Sequence, residues 1–597
     1  MPVFDIDAVL RDLTTDEKVT LLAGVDTWST APIERREIPS IKVSDGPHGL
    51  RGSSFFNSQP AMLLPSGTAM GATFDIDLMH RVGAILATEA KERGVHLLLG
   101  PTVSSAYING VQENGVGCCI KHFAAHDQST DSTEDDVRAS ERTLREMHLL
   151  PFQIAVRYSD PWAFMTSYNK INGVHAAEDP WLLTRVLRDE WRSDAVTVSD
   201  WYGTYSSSSA LNAGLDLEMP GPARWRGDLL RWAITSNKVT KRSLDASVRR
   251  ILGLVKRAHA EVPLDVLTTS SNSGDTLEKR ELCLEVASDA IVLLKNEKGV
   301  LPVDPARDCT YALIGPGVHH PAVSGGGSAD LTPYYVSFPF DELAGIVGAE
   351  KIRTAIGCRG HLYTPLLTTC VTIPNTSLPG YVVEWYTTDP LENTNAEPVA
   401  STTTTEASMY FADNLPDTVP ATYWLLARTK YTAVKTCTLE LGLCVLGKGK
   451  LFVDGEEMID LYTSQPPKTH PTPMFNQASM ETVAELDVIQ GQQYTLTIYL
   501  QNTGFVAGAG ALNCGGLRIG AVEKIDPATA LSEAVQLARN VDFPIVIAGL
   551  NSDYEAEAFD RTTLALPPGI DELIARVIEV NPNTACVLLE YPNVCWQ

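Results

Sequence analysis

The chain has 597 residues, of which 73 are acidic and 47 are basic, so its formal net charge is −26. This length predicts two to four domains, and the hydrophobic content of 44% is typical of a globular protein. No apolar run approaches the roughly 18 residues of a membrane span, and the acidic balance repels phosphate backbones. Neither membrane insertion nor nucleic-acid binding is therefore expected.

The N-terminus and the cysteines bear on the compartment. Residues 1–8 lack a basic region followed by an apolar core, so they predict no secretory signal and favour a cytoplasmic or non-classically secreted protein. The 11 cysteines have neither metal-ligand nor disulfide-framework spacing and are interpreted as mostly reduced core thiols. A glycosylation sequon at Asn375 points toward secretion instead, which leaves the compartment open.

The first 265 residues alternate short apolar runs with helical stretches. Thr14 and Glu17 have the spacing of a capping box, which predicts a helix that ends by Gly24. Polar residues directly after buried parallel strands are typical of a β/α barrel, whose active site gathers at the C-terminal strand ends. Five apolar runs are followed in this way, at 41–43, 96–99, 116–120, 162–165 and 195–198. We predict a TIM-like (β/α) barrel over residues 1–265.

The remainder of the chain is predicted to form an α/β sandwich domain and an all-β insert. Residues 266–280 are rich in small polar side chains and are assigned as a linker. The sandwich domain is assigned to residues 281–356 plus 522–597, because a helical stretch at 281–294 and buried apolar runs alternate there. These apolar runs are at 311–314, 543–550 and 584–589.

Between residues 357 and 521 β-branched and aromatic residues become more frequent, and runs such as 494–500 alternate in polarity. This predicts the all-β insert. The run Gly325-Gly-Gly-Ser lacks the Lys-Ser/Thr of a phosphate-binding loop and is interpreted as a turn.

The tripeptide Ser199-Asp200-Trp201 follows the apolar run Ala195–Val198, which places a carboxylate at the end of a predicted buried strand. Together with the run Ala213-Gly-Leu-Asp-Leu-Glu-Met-Pro220, it resembles the nucleophile segment of family 3 glycoside hydrolases, the β-glucosidase family. The resemblance implies that Asp200 attacks the anomeric carbon of the sugar.

Glycoside cleavage needs a second carboxylic acid that carries a proton. The run from Gly549 to Arg561 resembles the acid/base loop of the same family, and position matching selects Glu557. Ala558 replaces the usual glycine, and Glu555 is an alternative two residues away. A solvated acidic loop without catalytic function also stays open.

The resemblance also implies a set of sugar ligands. Trp201 is expected to stack on the sugar ring, and the other implied ligands are Asp45, Arg51, Lys121, His122 and Tyr168. His126 occupies a position where relatives usually have Asn. Because related β-N-acetylglucosaminidases use a histidine further along this region, that subtype is a second interpretation.

The sequence contains one further resemblance and two gaps. The run Lys450–Asp460 with Gly491 resembles the PA14 module that is inserted in many fungal and bacterial β-glucosidases. After Val103 an arginine-containing loop of the family is absent, so the barrel is expected to lack one segment and to leave unpaired strand edges. Because the chain stops at Gln597, the C-terminal domain is also expected to be missing.

These observations predict a retaining β-glucosidase that acts on small β-glycosides or oligosaccharides and releases glucose. They imply no cofactor and no metal, and they leave homo-oligomer formation open. The alternative is a catalytically impaired carbohydrate-binding or regulatory relative, which the loss of the arginine loop favours.

Overall fold

A computed structural model of the protein describes residues 4–52, 54–102, 104–261, 274–318, 320, 323–413, 415–502 and 514–589. The chain divides into two compact units. The first comprises Met1–Ser53, Ser58–Val292 and Ser328–Tyr334, and the second comprises Ser54–Asn57, Leu293–Gly327 and Tyr335–Gln597. Among the helices of the described ranges, none combines the length and apolar character of a membrane-crossing segment.

Helices and short strands alternate through the first unit. Its strands are β1 (Val43–Asp45), β2 (Leu97–Leu99), β3 (Gly117–Phe123), β4 (Asp136–Val137), β5 (Ala163–Thr166), β6 (Lys170–Ile171), β7 (Val174–His175) and β8 (Val196–Ser199). Its α-helices are α1 (Ile6–Asp12), α2 (Thr15–Thr20), α3 (Gly67–Ala72), α4 (Ile76–Glu92), α5 (Ser105–Glu113), α6 (Glu141–Thr143), α7 (Leu150–Ser159), α8 (Ser208–Ala213), α9 (Asp228–Thr235), α10 (Lys241–Glu261) and α11 (Leu277–Asp289). Residues Leu144–His148 and Trp181–Glu190 are π-helical.

The capping box predicted at Thr14 is confirmed. The Thr14 hydroxyl accepts a hydrogen bond from the backbone N–H of Glu17 at 3.2 Å, and the Glu17 carboxylate accepts one from the N–H of Thr14 at 2.8 Å. Both bonds satisfy backbone donors that the start of α2 would otherwise leave open.

A parallel sheet forms the centre of the first unit. Its strands run in the order β1-β2-β3-β5-β8, and the residues of β1, β2, β5 and β8 are all buried. Isolated bridges continue from β8: Val198 pairs with Leu217, Ala23 with Glu218, Gly24 with Thr30, and Ser29 with Lys42. Since Lys42 directly precedes β1, a path of hydrogen-bonded segments leads from the last strand of this sheet back to the first.

The strand edges expected at the junction after Val103 are not observed. Val103 itself lies outside the described residues, but β2 pairs in parallel with both β1 and β3, through Leu98–Ser44 and Leu98–Cys118. Helix α5 begins directly after Ser104 and supplies the crossover between β2 and β3. The expectation of unpaired edges was wrong at this point, because β2 and β3, the strands on both sides of this connection, are present and paired.

The helix predicted at 281–294 begins and ends earlier. The Thr276 hydroxyl accepts a hydrogen bond from the N–H of Lys279 and starts α11, which buries Lys279, Leu282 and Val286 along one face. Residues 291–294 follow the helix as exposed coil. Capping by Thr276, within the predicted linker, shifts the helix toward the N-terminus.

A second parallel sheet lies in the second unit. Its order is β10-β9-β22-β23, from strands β9 (Tyr311–Ile314), β10 (Ile352–Ala355), β22 (Phe543–Gly549) and β23 (Ala585–Leu589). Helices α12 (Pro339–Val347), α14 (Pro527–Arg539) and α15 (Ile570–Val580) accompany it. Alternate residues of β9 lie in two separate hydrophobic clusters: Ala312 and Ile314 belong to one, and Tyr311 and Leu313 belong to the other. This is the layered arrangement expected when helices cover a parallel sheet.

The chain between these strands forms antiparallel sheets. One runs β13-β12-β15-β20-β17-β18, with β11 added to β15, and the other runs β14-β21-β16-β19. The strands are β11 (Val371–Thr372), β12 (Tyr381–Tyr386), β13 (Ala400–Thr404), β14 (Ser408–Tyr410), β15 (Trp424–Thr432), β16 (Cys437–Leu446), β17 (Lys448–Val453), β18 (Glu456–Asp460), β19 (Thr482–Val488), β20 (Gln493–Gln501) and β21 (Gly516–Glu523), and the short helix α13 (Pro473–Asn476) interrupts them. The predicted strand at 494–500 is β20. Alternate residues of both sheets contribute to one shared hydrophobic core.

Candidate active site

Asp200 is the first residue after β8, and its side chain is 12% exposed. Its Oδ1 accepts hydrogen bonds from the Tyr168 hydroxyl at 3.0 Å and from the backbone N–H of Trp201 at 2.7 Å. His122 Nε2 lies 3.5 Å from the other carboxylate oxygen, Oδ2. Donors that contact a carboxylate stabilise its ionised form and set its orientation.

The surroundings of His122 favour its neutral form. Burial lowers the pKa of the imidazole well below its usual 6.5, and the neighbouring Lys121 and His126 lower it further. The imidazole rings of His122 and His126 lie 5.1 Å apart, measured between their centroids. A neutral imidazole beside Asp200 can act as a hydrogen-bond donor without adding a positive charge.

Asp45 and Lys121 form a buried ion pair next to this site. Asp45 ends β1 and Lys121 lies within β3, and Lys121 Nζ donates to Asp45 Oδ1 at 2.6 Å. Both side chains are less than a tenth exposed. The sequence predicts that Lys121 and His122 follow the strand, but β3 extends through both, because Phe123 still pairs with Thr166 after a register shift.

Arg51, Tyr168 and Trp201 have further contacts within the first unit. The buried Arg51 guanidinium donates to the carbonyl of Ser328 at 2.5 Å. The Tyr168 hydroxyl lies 2.9 Å from the carbonyl of Trp201. The Trp201 ring packs against Trp28, with 5.7 Å between centroids. The fold thus brings together four of the predicted site residues, namely Asp200, His122, Tyr168 and Trp201. Two others, Asp45 and Lys121, pair with each other.

Glu557 belongs to the second unit, in the loop of residues 550–561 that follows β22. Glu557 packs closely against the backbone of Gly327: a Cβ added to Gly327 would lie 2.5 Å from the Cβ of Glu557. Glu555 forms an ion pair with Arg561 at 3.3 Å, and both of these side chains are 16% exposed. The loop thus places Glu557 against Gly327 and Glu555 beside Arg561.

Sequence models of a known enzyme family match most of the chain. The glycosyl hydrolase family 3 N-terminal domain matches residues 102–254, and the glycosyl hydrolase family 3 C-terminal domain matches residues 291–595. The chain belongs to glycosyl hydrolase family 3. The match to the C-terminal domain also corrects the expectation that a C-terminal domain is missing, since the family's C-terminal domain is present here.

Named relatives in family 3 are similar along nearly the whole chain. The probable beta-glucosidase J of Neosartorya fischeri is 38% identical over 98% of this chain and 72% of its own length. The probable beta-glucosidase K of Emericella nidulans is 38% identical over 97% of this chain and 72% of its length. The crystal structure of beta-glucosidase from Kluyveromyces marxianus in complex with glucose is 30% identical, has a TM-score of 0.92, and covers 99% of this chain and 74% of that one.

Asp216 and Glu218 follow β8 in the chain and have dense hydrogen-bond networks that the sequence did not predict. Asp216 is fully buried and accepts hydrogen bonds from Arg250, Arg188 and Thr197, the last of which lies within β8. The Glu218 carboxylate accepts hydrogen bonds from the backbone N–H groups of residues 224–226 at 2.7–3.1 Å. The alternation of apolar and acidic residues in 215–219 was the available signal, because an acid between buried neighbours must itself be paired.

No metal site is evident in the part of the chain that the structure describes: it contains no group of three or more His, Cys, Asp or Glu arranged to hold an ion.

Proposed function

We propose that this protein is a retaining β-glucosidase that hydrolyses terminal non-reducing β-D-glucosyl residues and releases glucose. The observation that carries the proposal is the Asp200 carboxylate at the end of β8, which Tyr168 and the Trp201 N–H orient and which lies 3.5 Å from His122. The named relatives are probable beta-glucosidases, and the beta-glucosidase from Kluyveromyces marxianus is in complex with glucose in its crystal structure. Small β-glycosides are accordingly the proposed substrates.

Asp200 is proposed as the nucleophile. One of its carboxylate oxygens forms a bond to the anomeric carbon while the bond from that carbon to the leaving-group oxygen breaks. This gives a covalent glycosyl-enzyme, which water then hydrolyses with overall retention. Because Tyr168 and the Trp201 N–H fix Oδ1, the carboxylate requires little reorganisation before attack.

Glu557 is proposed as the acid that protonates the leaving oxygen and then as the base that activates water. Position matching to the family's acid/base loop supports this choice over Glu555, which lies 3.3 Å from Arg561.

The remaining predicted residues are proposed as sugar ligands. The buried Asp45–Lys121 pair offers charged hydrogen-bonding groups of both signs for sugar hydroxyls. Arg51, His122 and Tyr168 are proposed to add donors. Trp201 is proposed to stack on the ring.

The finer description of the fold is also a proposal. The path of bridges from β8 back to β1 supports a shortened TIM-like barrel within residues 1–265. The two antiparallel sheets support a PA14-like insert at 357–521. The sandwich domain is proposed over the predicted 281–356 plus 522–597 without residues 281–292, which belong to the first unit.

Kinetics of Asp200→Asn test the function. Wild type should release glucose from an aryl β-glucoside with the β-anomer formed first by NMR, and the variant should lose roughly 10³-fold or more in turnover. Asn keeps the shape of the side chain but cannot act as the nucleophile. A variant with more than a tenth of wild-type turnover would refute the assignment, and a wild type that binds glucose without turnover would establish the carbohydrate-binding alternative.

A further inference from the structure

The loop of residues 550–561, which carries Glu557, is anchored near its start by Asp553. A single oxygen of this carboxylate, Oδ2, accepts hydrogen bonds from the backbone N–H groups of Leu362 at 3.0 Å and Tyr363 at 3.2 Å. The two donors are adjacent in the chain segment that leads into the antiparallel sheets. Hydrogen bonds to a carboxylate are the stronger kind, so this anchor fixes the loop against that segment.

Asn551 extends the same anchor. Its side-chain Nδ2 donates to the carbonyl of Gly360 at 3.3 Å, and its Oδ1 accepts the backbone N–H of Asp553 at 3.0 Å. Its backbone carbonyl accepts the N–H groups of Tyr554 and Glu555, both at 3.0 Å. Residues 551–555 therefore form one hydrogen-bonded turn that is attached to residues 360–363.

The segment that receives this anchor is itself firmly held. The Thr364 N–H lies 3.0 Å from both carboxylate oxygens of Glu481, and the Thr364 hydroxyl donates to the same group at 2.6 Å. Arg518 lies 3.4 Å from Glu481 and covers the ring of Tyr363. Residues 360–363, to which the loop is attached, are consequently connected to the buried network of the antiparallel sheets.

We infer that Asp553 is a positioning residue that sets the place of the acid Glu557 through the hydrogen-bonded turn at 551–555. The inference rests on the role proposed above for Glu557. A general acid must stand within hydrogen-bond reach of the leaving oxygen, and small displacements of such a group are costly to the rate. The antiparallel sheets are thereby assigned a part in catalysis.

The test compares Asp553→Ala with Asp553→Asn. Alanine removes the acceptor of both N–H groups, whereas Asn keeps one side-chain oxygen, which is all that the observed geometry uses. The measured quantity is the ratio of kcat/KM for a dinitrophenyl β-glucoside, whose leaving group needs no proton, to that for an alkyl β-glucoside. Asp553→Ala should raise this ratio by about tenfold or more, and Asp553→Asn should restore it to within about threefold of wild type.

Asp460 supplies a matched control and Asn551 a second variant. One Asp460 oxygen also accepts two adjacent backbone N–H groups, those of Tyr462 and Thr463, at 2.8 and 2.9 Å, but Asp460 lies on β18. Asp460→Ala should leave the ratio unchanged. Asn551→Ala should raise it, which keeps the test decisive if Asp553→Ala does not fold.

Three results would overturn the inference. If the anchor variants lose thermal stability but keep the wild-type ratio, Asp553 has only a structural role. If Asp460→Ala raises the ratio equally, the effect is not specific to the loop. If Glu557→Ala itself leaves the ratio unchanged, the proposed acid is wrong and the inference falls with it, a failure that this variant alone identifies.

Discussion

Replacement of Asp216 by alanine should weaken both the fold of the first unit and its activity. Asp216 Oδ1 accepts a hydrogen bond from Arg250 at 2.8 Å, and Oδ2 accepts from Arg188 at 3.1 Å and from the N–H and hydroxyl of Thr197, each at 3.0 Å. Thr197 lies in β8, three residues before Asp200. The carboxylate therefore attaches the strand of the proposed nucleophile to two cations.

The magnitude follows from burial. The Asp216 side chain is not exposed, and those of Arg188 and Arg250 are 10% and 20% exposed. Removal of one partner from a buried ion pair costs about 3–5 kcal/mol, because the other charge is left without compensation. Burial already lowers the pKa of Arg188 to about 10, and Asp216 opposes that fall. A loss of this size is a large part of the ~5–15 kcal/mol that stabilises a typical domain.

Denaturant unfolding and steady-state kinetics together provide the assay. Asp216→Ala should lower the midpoint of unfolding and reduce kcat, and Asp216→Asn should fall between it and wild type, since Asn still offers an oxygen to Thr197. Glu285→Ala is the control: it removes an exposed partner of Arg81, with two contacts of 2.7 Å, and should leave the midpoint close to wild type. An Asp216→Ala protein with a wild-type midpoint and kcat would refute the reasoning.

Three further predictions concern the acid loop and pH. Gly327→Ala should lower turnover of alkyl β-glucosides by about tenfold or more, because the added Cβ would lie 2.5 Å from the Cβ of Glu557. Gly326→Ala is the control: Gly326 has the same φ of +74°, but an added Cβ would have no neighbour closer than 3.9 Å, so this variant should retain more activity. Equal losses in the two variants would contradict the prediction. Glu557→Ala should slow glycosides with poor leaving groups most and should form a glycosyl azide when azide is added, whereas the same behaviour in Glu555→Ala would transfer the acid role to that residue. Burial lowers the pKa of His48 from 6.5 to about 4, so the folded state keeps it neutral while the unfolded state takes up a proton as the pH falls. The free energy of unfolding should therefore decline between about pH 6.5 and pH 4 by up to ~3 kcal/mol, and equal pH slopes for wild type and His48→Gln in urea titrations would exclude this contribution.

The sequence was most informative where local pattern and chemistry coincide. An apolar run that ends in Ser-Asp-Trp predicted a strand followed by Asp200, and β8 ends at Ser199. The alternating run at 494–500 predicted β20. In both cases the period of the apolar residues determines which side chains are buried, which is a local property.

Features that depend on distant partners could not be predicted in this way. Asp216 was visible as an acid among apolar residues, but Arg188 and Arg250 are brought to it only by the fold. The extension of β3 through His122 depends on pairing with β5. The anchor of Asp553 depends on residues about 190 positions earlier in the chain.

Trapping of the glycosyl-enzyme tests the central claim, that Asp200 is the nucleophile. A 2-deoxy-2-fluoro-β-glucosyl fluoride has an activated leaving group, while the fluorine at C2 destabilises the positively charged transition state of hydrolysis, so the covalent intermediate should accumulate. We predict that the intact protein gains the mass of one fluoroglucosyl group and that peptide mapping places the group on Asp200. A label on another carboxylate, or an unlabelled protein that turns over aryl glucosides, would contradict the assignment.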